Sequence, residues 1–147
     1  MVCLGNICRS PMAEGVLRHL AAQQDLIVEV DSAGTANYHV GESPDARAVQ
    51  CMRKYAIDIS GSRGRQFNEK DFDTFDHILV MDKSNLRNVL SLARNDLQKR
   101  KVKLMLDYGS SHLSEVPDPW YGDMKDFHEA YELLTDAIRA FVQEAQR

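Results

Sequence analysis

The fold of this 147-residue chain is decided by the segment Cys3-Leu4-Gly5-Asn6-Ile7-Cys8-Arg9-Ser10-Pro11. A short apolar stub, Met1-Val2, leads into the segment, and a helical pattern begins at Pro11. Gly5 and Asn6 belong to residue types that tolerate a positive φ, which a tightly curled loop requires. The segment therefore predicts a tight turn that joins the end of a β-strand to the first turn of an α-helix.

Short apolar runs and amphipathic runs alternate along the rest of the chain. The predicted strands are the stub before Cys3 and residues 26–30, 77–81 and 102–106. The predicted helices cover residues 11–23, 44–55 and 84–93 and begin again at about residue 125. Ser10 and Ser43 each precede a proline, and we expect them to cap the first two helices. This alternation predicts an α/β fold with a parallel, doubly wound sheet.

The predicted first strand is unusually short. Only about two residues precede Cys3, whereas a central strand commonly has ~5 residues. Two explanations stay open: the native start lies upstream of Met1, or the central strand is short.

Polar residues follow the predicted strands, and these mark the edge of the sheet where ligands bind in such folds. They are Cys3, Asp31-Ser32, Asp82 and Asp107. We therefore expect the functional site at the carboxyl ends of the strands.

Length and composition narrow the possible classes of protein. The length predicts one domain over residues 1–147. Hydrophobic residues make up 44% and charged residues 27%, which excludes disordered and collagen-like chains. No apolar run predicts a membrane span, and a net charge of −4 argues against nucleic-acid binding. Three cysteines in an ordinary globular composition favour a reducing, cytoplasmic compartment.

The segment 3–11 has the residues of a phosphate site with a nucleophile. Backbone N–H groups of a tight loop and of a first helical turn lack helical partners, so they form an anion site. Arg9 could hold two phosphate oxygens through its planar guanidinium. Cys3 would lie at the floor of the site, where the same field favours a thiolate that Ser10 could stabilise with its hydroxyl. The segment thus predicts a thiolate aimed at the phosphorus of a phosphate ester.

A phosphate ester also needs a proton for its leaving oxygen, and Asp118 is the candidate donor. Asp118 lies in residues 116–123, after the last predicted strand. Two prolines stiffen this segment, and Trp120 and Tyr121 could wall a cleft for an aromatic substrate.

Several blocks resemble the low-molecular-weight protein tyrosine phosphatases. The segment 3–14 resembles the signature of that family, and so do residues 31–35, 41–48, 71–85 and 118–122, in family order. The resemblance implies a four-stranded parallel sheet with helices on both faces. It also implies hydrolysis of phosphotyrosine in proteins and of small aryl phosphates, without a metal or another cofactor. We expect the partner to be a protein substrate. We expect the enzyme itself to be a monomer, with weak self-association as an open alternative.

The resemblance also assigns roles to single residues. Cys3 would be the nucleophile, Arg9 the phosphate clamp, and Asp118 first the general acid and then the base that activates water. The other predicted site residues are the phosphate-binding loop (Leu4, Gly5, Asn6, Ile7, Cys8 and Ser10), the supporting Ser32, and the cleft residues Tyr38, Trp120 and Tyr121. Many bacterial relatives carry a histidine where Ser62 stands here, which leaves any role of that histidine open.

The second cysteine of the loop has two interpretations. In the resembled family, Cys3 and Cys8 can form a reversible disulfide, which would make Cys8 a redox partner that protects the nucleophile. Cys8 could equally be a small loop side chain without a redox role. Cys51 lies in an amphipathic pattern, and we expect it in the core.

Three other classes of function share part of this pattern. Thioredoxin-linked arsenate reductases need two more cysteines near the third strand, and residues 76–92 contain none. Protein-arginine phosphatases tend to carry a threonine at the position of Ile7, so the apolar Ile7 favours phosphotyrosine. A non-catalytic phosphate-binding regulator would lack Cys3, Arg9 or Asp118, and this chain has all three.

Nucleotide hydrolysis is disfavoured because the chain has no Gly-x4-Gly-Lys-Ser/Thr loop.

Overall fold

Four parallel β-strands form the centre of the molecule in a computed structural model that describes residues 1–147. They are β1 (Val2–Cys3), β2 (Ala33–Gly34), β3 (Ile78–Val80) and β4 (Val102–Leu104). Their spatial order is β2-β1-β3-β4, and every pairing is parallel. The predicted fold class is confirmed, and the central position of β1 brings Cys3 to the middle of the sheet edge.

Six α-helices connect and cover these strands. They are α1 (Arg9–Gln23), α2 (Ala46–Arg53), α3 (Asp71–Thr74), α4 (Lys83–Leu92), α5 (Asp96–Arg100) and α6 (Met124–Ala145). Single 3₁₀ turns lie at Met105–Asp107 and Pro119–Tyr121. No helix has the combination of length and apolarity that a membrane crossing needs.

The strands alternate their side chains between two apolar layers. Cys3 and Leu79 point into a cluster of 25 buried residues that includes the inner faces of α1 and α6. Val2, Ile78 and Val80 point to the other face, where α3 and α4 complete a cluster of eight buried residues. Because neighbouring strand residues face opposite sides, helices are required on both faces of the sheet.

The predicted strand at residues 26–30 is wrong. β1 begins at Val2, which pairs with Ala33, so the second strand of the sheet forms at Ala33–Gly34. Residues 26–30 lie beyond the start of β1 without a strand beside them, and Ile27 is fully exposed. An aliphatic run suits a strand, but hydrogen bonding to a neighbour decides whether one forms. Asp31 and Ser32 consequently precede β2 instead of following it.

The predicted caps of the first two helices are also wrong. Cys8 is the N-cap residue of α1 and provides no side-chain cap, while Ser10 lies inside the first turn. α2 is capped by Asp45, whose carboxylate accepts a hydrogen bond from the backbone N–H of Arg47. Ser43 therefore caps nothing, and the Ser10 hydroxyl is free for another use.

The remaining boundaries differ from the predictions by a few residues. β3 and β4 are shorter than the predicted runs 77–81 and 102–106. β4 ends at Leu104 because the chain turns there into a 3₁₀ turn. α6 begins one residue before the predicted start and is opened by an Asp123 capping box. α3 and α5, of four and five residues, are too short for a periodic signal; residues 68–71 alone indicate a turn or a helix start, and α3 begins at Asp71.

A buried carboxylate, Glu14, lies on α1. Its side chain is only 5% exposed; it accepts a hydrogen bond from the Ser62 hydroxyl at 3.2 Å and lies 3.6 Å from the Arg18 guanidinium. Burial raises the pKa of Glu14 above its ordinary value of 4.5, against the opposing effect of the Arg18 charge. The ionised form of Glu14 therefore destabilises the folded state relative to the unfolded chain.

We expect Glu14→Gln to raise the melting temperature at neutral pH. The folded state binds the Glu14 proton more tightly than the unfolded chain, so this group adds stability as the pH falls toward 4.5. The advantage of the variant should therefore shrink between neutral pH and pH 4.5. Thermal unfolding followed by circular dichroism over this range tests it, with the exposed Glu132→Gln as the control. A pH-independent difference between Glu14→Gln and wild type would contradict the prediction.

Candidate active site

Cys3 lies at the end of β1, where the chain enters α1 through a short turn; residues 3–9 are called the 3–9 loop below. The Cys3 side chain is buried, and its Sγ atom lies 3.0 Å from the hydroxyl of Ser10. The backbone N–H of Asn6 also donates to this sulfur, at 3.3 Å. Two polar groups, the Ser10 hydroxyl and the Asn6 N–H, therefore meet at this one sulfur atom.

Asn6 holds the curled backbone of the loop in place. Its φ of 59° lies in the left-handed region that asparagine tolerates better than most residues. Its Nδ2 donates to the hydroxyls of Ser10 at 2.7 Å and Ser32 at 3.0 Å, and its Oδ1 accepts from the backbone N–H of Arg65 at 3.0 Å. Because Ser10 Oγ accepts from Asn6, its own hydrogen is free to point at Cys3. The predicted supporting residues Asn6, Ser10 and Ser32 therefore meet in one network.

β2 supports the loop at very close range. A Cβ atom on Gly34 would lie 2.7 Å from the Leu4 carbonyl oxygen and 3.1 Å from the Gly5 carbonyl carbon, so only glycine fits. The next two N–H groups, of Thr35 and Ala36, donate to the carbonyls of Cys3 and Leu4 at 2.9 and 3.0 Å. The glycine of β2 is thus required by the position of the loop.

Arg9 is the first residue of α1, and its guanidinium is buried. Nη1 donates to the Asp82 carboxylate at 2.9 Å and to the Val116 carbonyl at 2.8 Å. Nη2 lies 3.7 Å from the carboxylate of Asp118, beyond hydrogen-bond distance. Nε and Nη2 make no hydrogen bond within the protein, which leaves the two-pronged donor edge that binds oxyanions.

The carboxyl group of Asp118 faces this arginine from the 116–123 loop. Its side chain is 29% exposed, and it caps the 3₁₀ turn Pro119–Tyr121 by accepting from the backbone N–H of Trp120 at 3.1 Å. The loop starts from the sheet edge, where Val116 N–H donates to the carbonyl of Met81. Asp118 is therefore both accessible to solvent and close to the guanidinium of Arg9.

The three predicted cleft residues are exposed aromatic side chains on two loops. Trp120 is 48% exposed and makes an edge contact with Tyr121 at 5.0 Å between ring centroids. Tyr38 lies in the loop after β2 and lines a groove together with Leu4 of the 3–9 loop. Tyr38 makes an edge contact with His39 and no ring contact with Trp120 or Tyr121.

Cys8 and Cys51 are both buried, free thiols. Burial, together with the nearby charges of Asp45, Cys3 and Asp118, raises the pKa of the Cys8 thiol far above its usual range. Cys51 is fully buried in the core as expected, and burial also raises its pKa. Neither thiol is thus ionised at neutral pH.

Two contacts at the site were not predicted. Asp82 was placed at the sheet edge, but the sequence gives no signal that it would pair with Arg9. Arg47 donates to the carbonyls of Trp120 and Gly122, a contact for which the sequence also gives no signal. The structure contains no cluster of three or more His, Cys, Asp or Glu side chains that could hold a metal ion.

Comparison with known proteins gives one consistent answer. The profile of the family "Low molecular weight phosphotyrosine protein phosphatase" matches residues 1–147. The human protein of that description is 42% identical over 148 residues, which cover 98% of this chain and 92% of the human one.

Solved structures agree with the sequence relatives. A protein tyrosine phosphatase from Entamoeba histolytica, with Hepes in its active site, superimposes with a TM-score of 0.94 at 35% identity, covering 99% of this chain and 94% of that one. An arginine phosphatase from Drosophila superimposes with a TM-score of 0.92 at 33% identity, covering 99% of this chain and 96% of that one. Because the family profile and the human relative both match essentially the whole chain, this chain belongs to the low molecular weight phosphotyrosine protein phosphatases.

Proposed function

We propose that this enzyme hydrolyses phosphotyrosine in proteins, and small aryl phosphates, through a cysteinyl-phosphate intermediate. One observation carries the mechanism. Arg9, a buried arginine with two unused donors, shares a short loop with the hydrogen-bonded Cys3 and lies 3.7 Å from the carboxylate of Asp118. Nucleophile, anion clamp and proton donor are thereby gathered at one edge of the sheet.

In the first step, the Cys3 thiolate forms a bond to phosphorus while the bond from phosphorus to the phenolic oxygen breaks. Asp118, in its protonated form, gives its proton to that oxygen, so tyrosine leaves as a neutral phenol. Arg9 and the N–H groups of the 3–9 loop bind the phosphoryl oxygens and stabilise the charge of the transition state. A positioned general acid typically contributes ~10²–10⁴-fold, and each oxyanion donor ~10²–10³-fold.

In the second step, water attacks the phosphorus of the cysteinyl phosphate. The Asp118 carboxylate takes a proton from this water, the sulfur–phosphorus bond breaks, and inorganic phosphate leaves. The Ser10 hydroxyl, 3.0 Å from the sulfur, donates to the thiolate that is released. Asp118 thereby regains the proton that it gave away in the first step, and the enzyme returns to its starting state.

The aromatic cleft supports phosphotyrosine as the substrate. Tyr38, Trp120 and Tyr121 could contact a phenyl ring, and the apolar Ile7 would pack against it. The structural likeness to a Drosophila arginine phosphatase makes phosphoarginine the second candidate. A direct comparison of phosphotyrosine, phosphoarginine and arsenate as substrates of the wild-type protein distinguishes these functions.

We also propose that residues 1–147 act as one catalytic domain, as a monomer with weak self-association. Arg9 and the loop amides supply the positive field that a metal would otherwise give, so no metal or cofactor is needed. The target is a phosphorylated protein, with no role for nucleic acid or membrane. The three free cysteines support a cytoplasmic location, where thiols stay reduced.

Cys3→Ser should abolish turnover of aryl phosphates and retain binding of inorganic phosphate. A serine hydroxyl is a far weaker nucleophile than a thiolate, whereas Arg9 and the loop amides are unchanged. Steady-state assays and calorimetric titration with phosphate measure the two properties. Cys51→Ser, a matched change in the core, should keep its activity. Measurable turnover by Cys3→Ser would rule out the cysteinyl intermediate.

Asp118→Ala should slow substrates according to their leaving groups. For leaving groups with a pKa near the ~10 of tyrosine, we expect a loss of ~10²–10⁴-fold in kcat/KM, which reports the steps up to release of the phenol and not the later hydrolysis in which Asp118 acts as the base. Activated aryl esters, whose leaving oxygens need no proton, should change little. Rates over a series of aryl phosphates give the dependence, with the exposed Asp73→Ala as the control. Equal losses over the series would refute the assignment of Asp118 as general acid.

We further propose that peroxide closes a disulfide between Cys3 and Cys8. Oxidation of Cys3 to a sulfenic acid is followed by attack of the Cys8 sulfur, which releases water and protects Cys3 from irreversible oxidation. Because Cys8 is held in its protonated form, we expect slow closure that accelerates at high pH. Mass spectrometry after peroxide treatment reveals the bridge. Recovery of Cys3 only as sulfinic or sulfonic acid would exclude this role for Cys8.

A further inference from the structure

Arg47, near the start of α2, reaches across to the loop that carries Asp118. Its Nη1 donates to the carbonyl of Gly122 at 3.0 Å, and its Nη2 donates to the carbonyl of Trp120 at 3.1 Å. These are the only hydrogen bonds from a side chain outside the loop to residues 119–122. The 3₁₀ turn that follows Asp118 is therefore held from outside by one guanidinium group.

The guanidinium of Arg47 is itself fixed on two sides. Nε and Nη2 donate to the two carboxylate oxygens of Asp45 at 3.1 and 3.0 Å, a two-pronged ion pair. The Arg47 hydrogen bond keeps the pKa of Asp45 below its ordinary value, so this carboxylate stays charged at neutral pH. The guanidinium carbon also lies 4.8 Å from the centroid of the Phe127 ring, in cation–π geometry. Arg47 thus has little freedom to move away from the two carbonyls.

Asp45 continues the connection to the other half of the site. Its backbone N–H donates to the carbonyl of Ile7, in the 3–9 loop, at 2.8 Å. Its side chain also caps α2, which fixes the start of that helix. Asp45 and Arg47 together therefore join the 3–9 loop to the 116–123 loop.

We propose that Arg47 is a positioning residue that sets the distance between the Asp118 carboxyl group and the leaving oxygen of the substrate. The inference rests on the proposed function, in which Asp118 is the general acid. A displacement of about 1 Å can cost ~10²-fold in rate. Loss of Arg47 would release the turn after Asp118, while Cys3 and Arg9 would keep their own hydrogen bonds. The defect should therefore appear in proton transfer and not in phosphate binding.

Arg47→Met keeps an unbranched side chain over Phe127 and removes both donors. For leaving groups near the ~10 pKa of tyrosine, we expect kcat/KM, which reports the steps up to release of the phenol, to fall roughly 10- to 100-fold. For activated aryl esters, we expect a loss of less than about threefold, because general acid catalysis matters little there. Inhibition by inorganic phosphate should be unchanged, because Arg9 and the 3–9 loop are intact.

A double-mutant cycle separates positioning from general damage. In an Asp118→Ala background the group that Arg47 positions is absent, so adding Arg47→Met should change kcat/KM by less than about twofold. Arg47→Lys keeps the charge without the fork that reaches two carbonyls, so it should restore only part of the rate. Asp45→Asn keeps a capping side chain and weakens the ion pair, so we expect an intermediate loss with the same dependence on the leaving group.

Arg63→Met is the matched control. Arg63 also donates to two backbone carbonyls, those of Ser60 and Ser62, but in a turn that does not carry Asp118. Its removal should leave the kinetics as in wild type. Melting temperatures of all variants identify any change that comes from partial unfolding.

Three results would overturn the positioning role. They are an equal loss for all leaving groups, a loss that adds fully to that of Asp118→Ala, and no loss at all in Arg47→Met. Failure of the proposed function looks different: wild type would not hydrolyse aryl phosphates, or Asp118→Ala would show no dependence on the leaving group.

Discussion

The site depends on one constraint: a turn of a few residues must bring the Asn6 N–H and the Ser10 hydroxyl to a single sulfur atom. Such a turn places Asn6 in the left-handed region, which is unfavourable for a residue with a side chain. Three hydrogen bonds from that side chain offset the cost, and they connect Ser10, Ser32 and the backbone of Arg65. Gly34 must then lack a side chain, since the loop occupies the space where a Cβ would lie. The conformation of the 3–9 loop thereby constrains residues in three segments that lie far apart in the sequence.

The buried charge of Arg9 makes a second set of requirements. A guanidinium removed from water destabilises the fold unless carboxylates and carbonyls surround it. Asp82, at the end of β3, and the carbonyl of Val116 meet this need on one edge of the group. The opposite edge stays open for an anion, and the Asp118 carboxylate lies beside it. The same contacts that make the burial tolerable thus align the end of β3 and the start of the 116–123 loop with Arg9 at the start of α1.

The prediction of the tight turn over residues 3–10 succeeded because its signal is local. Cys3, Asn6 and Ser10 lie within eight residues of one another, so their shared loop could be predicted without knowing the rest of the fold. The strand predicted at 26–30 failed because an aliphatic run does not reveal its neighbour in the sheet. Asp82 pairs with Arg9 73 residues away, and Arg47 reaches the carbonyls of Trp120 and Gly122, 73 and 75 residues away, which any sequence would provide. The second layer of the site is therefore the part that only the three-dimensional structure could reveal.

The chain contains a single tryptophan, Trp120, and the fold places it in the 3₁₀ turn that follows Asp118. Its indole is half exposed, and its carbonyl oxygen accepts a hydrogen bond from Arg47. All indole emission from the protein therefore arises from one place, two residues from Asp118. Quenching, anisotropy and lifetime measurements can follow ligand entry and the motion of this loop without a label, in a protein that carries its own optical probe.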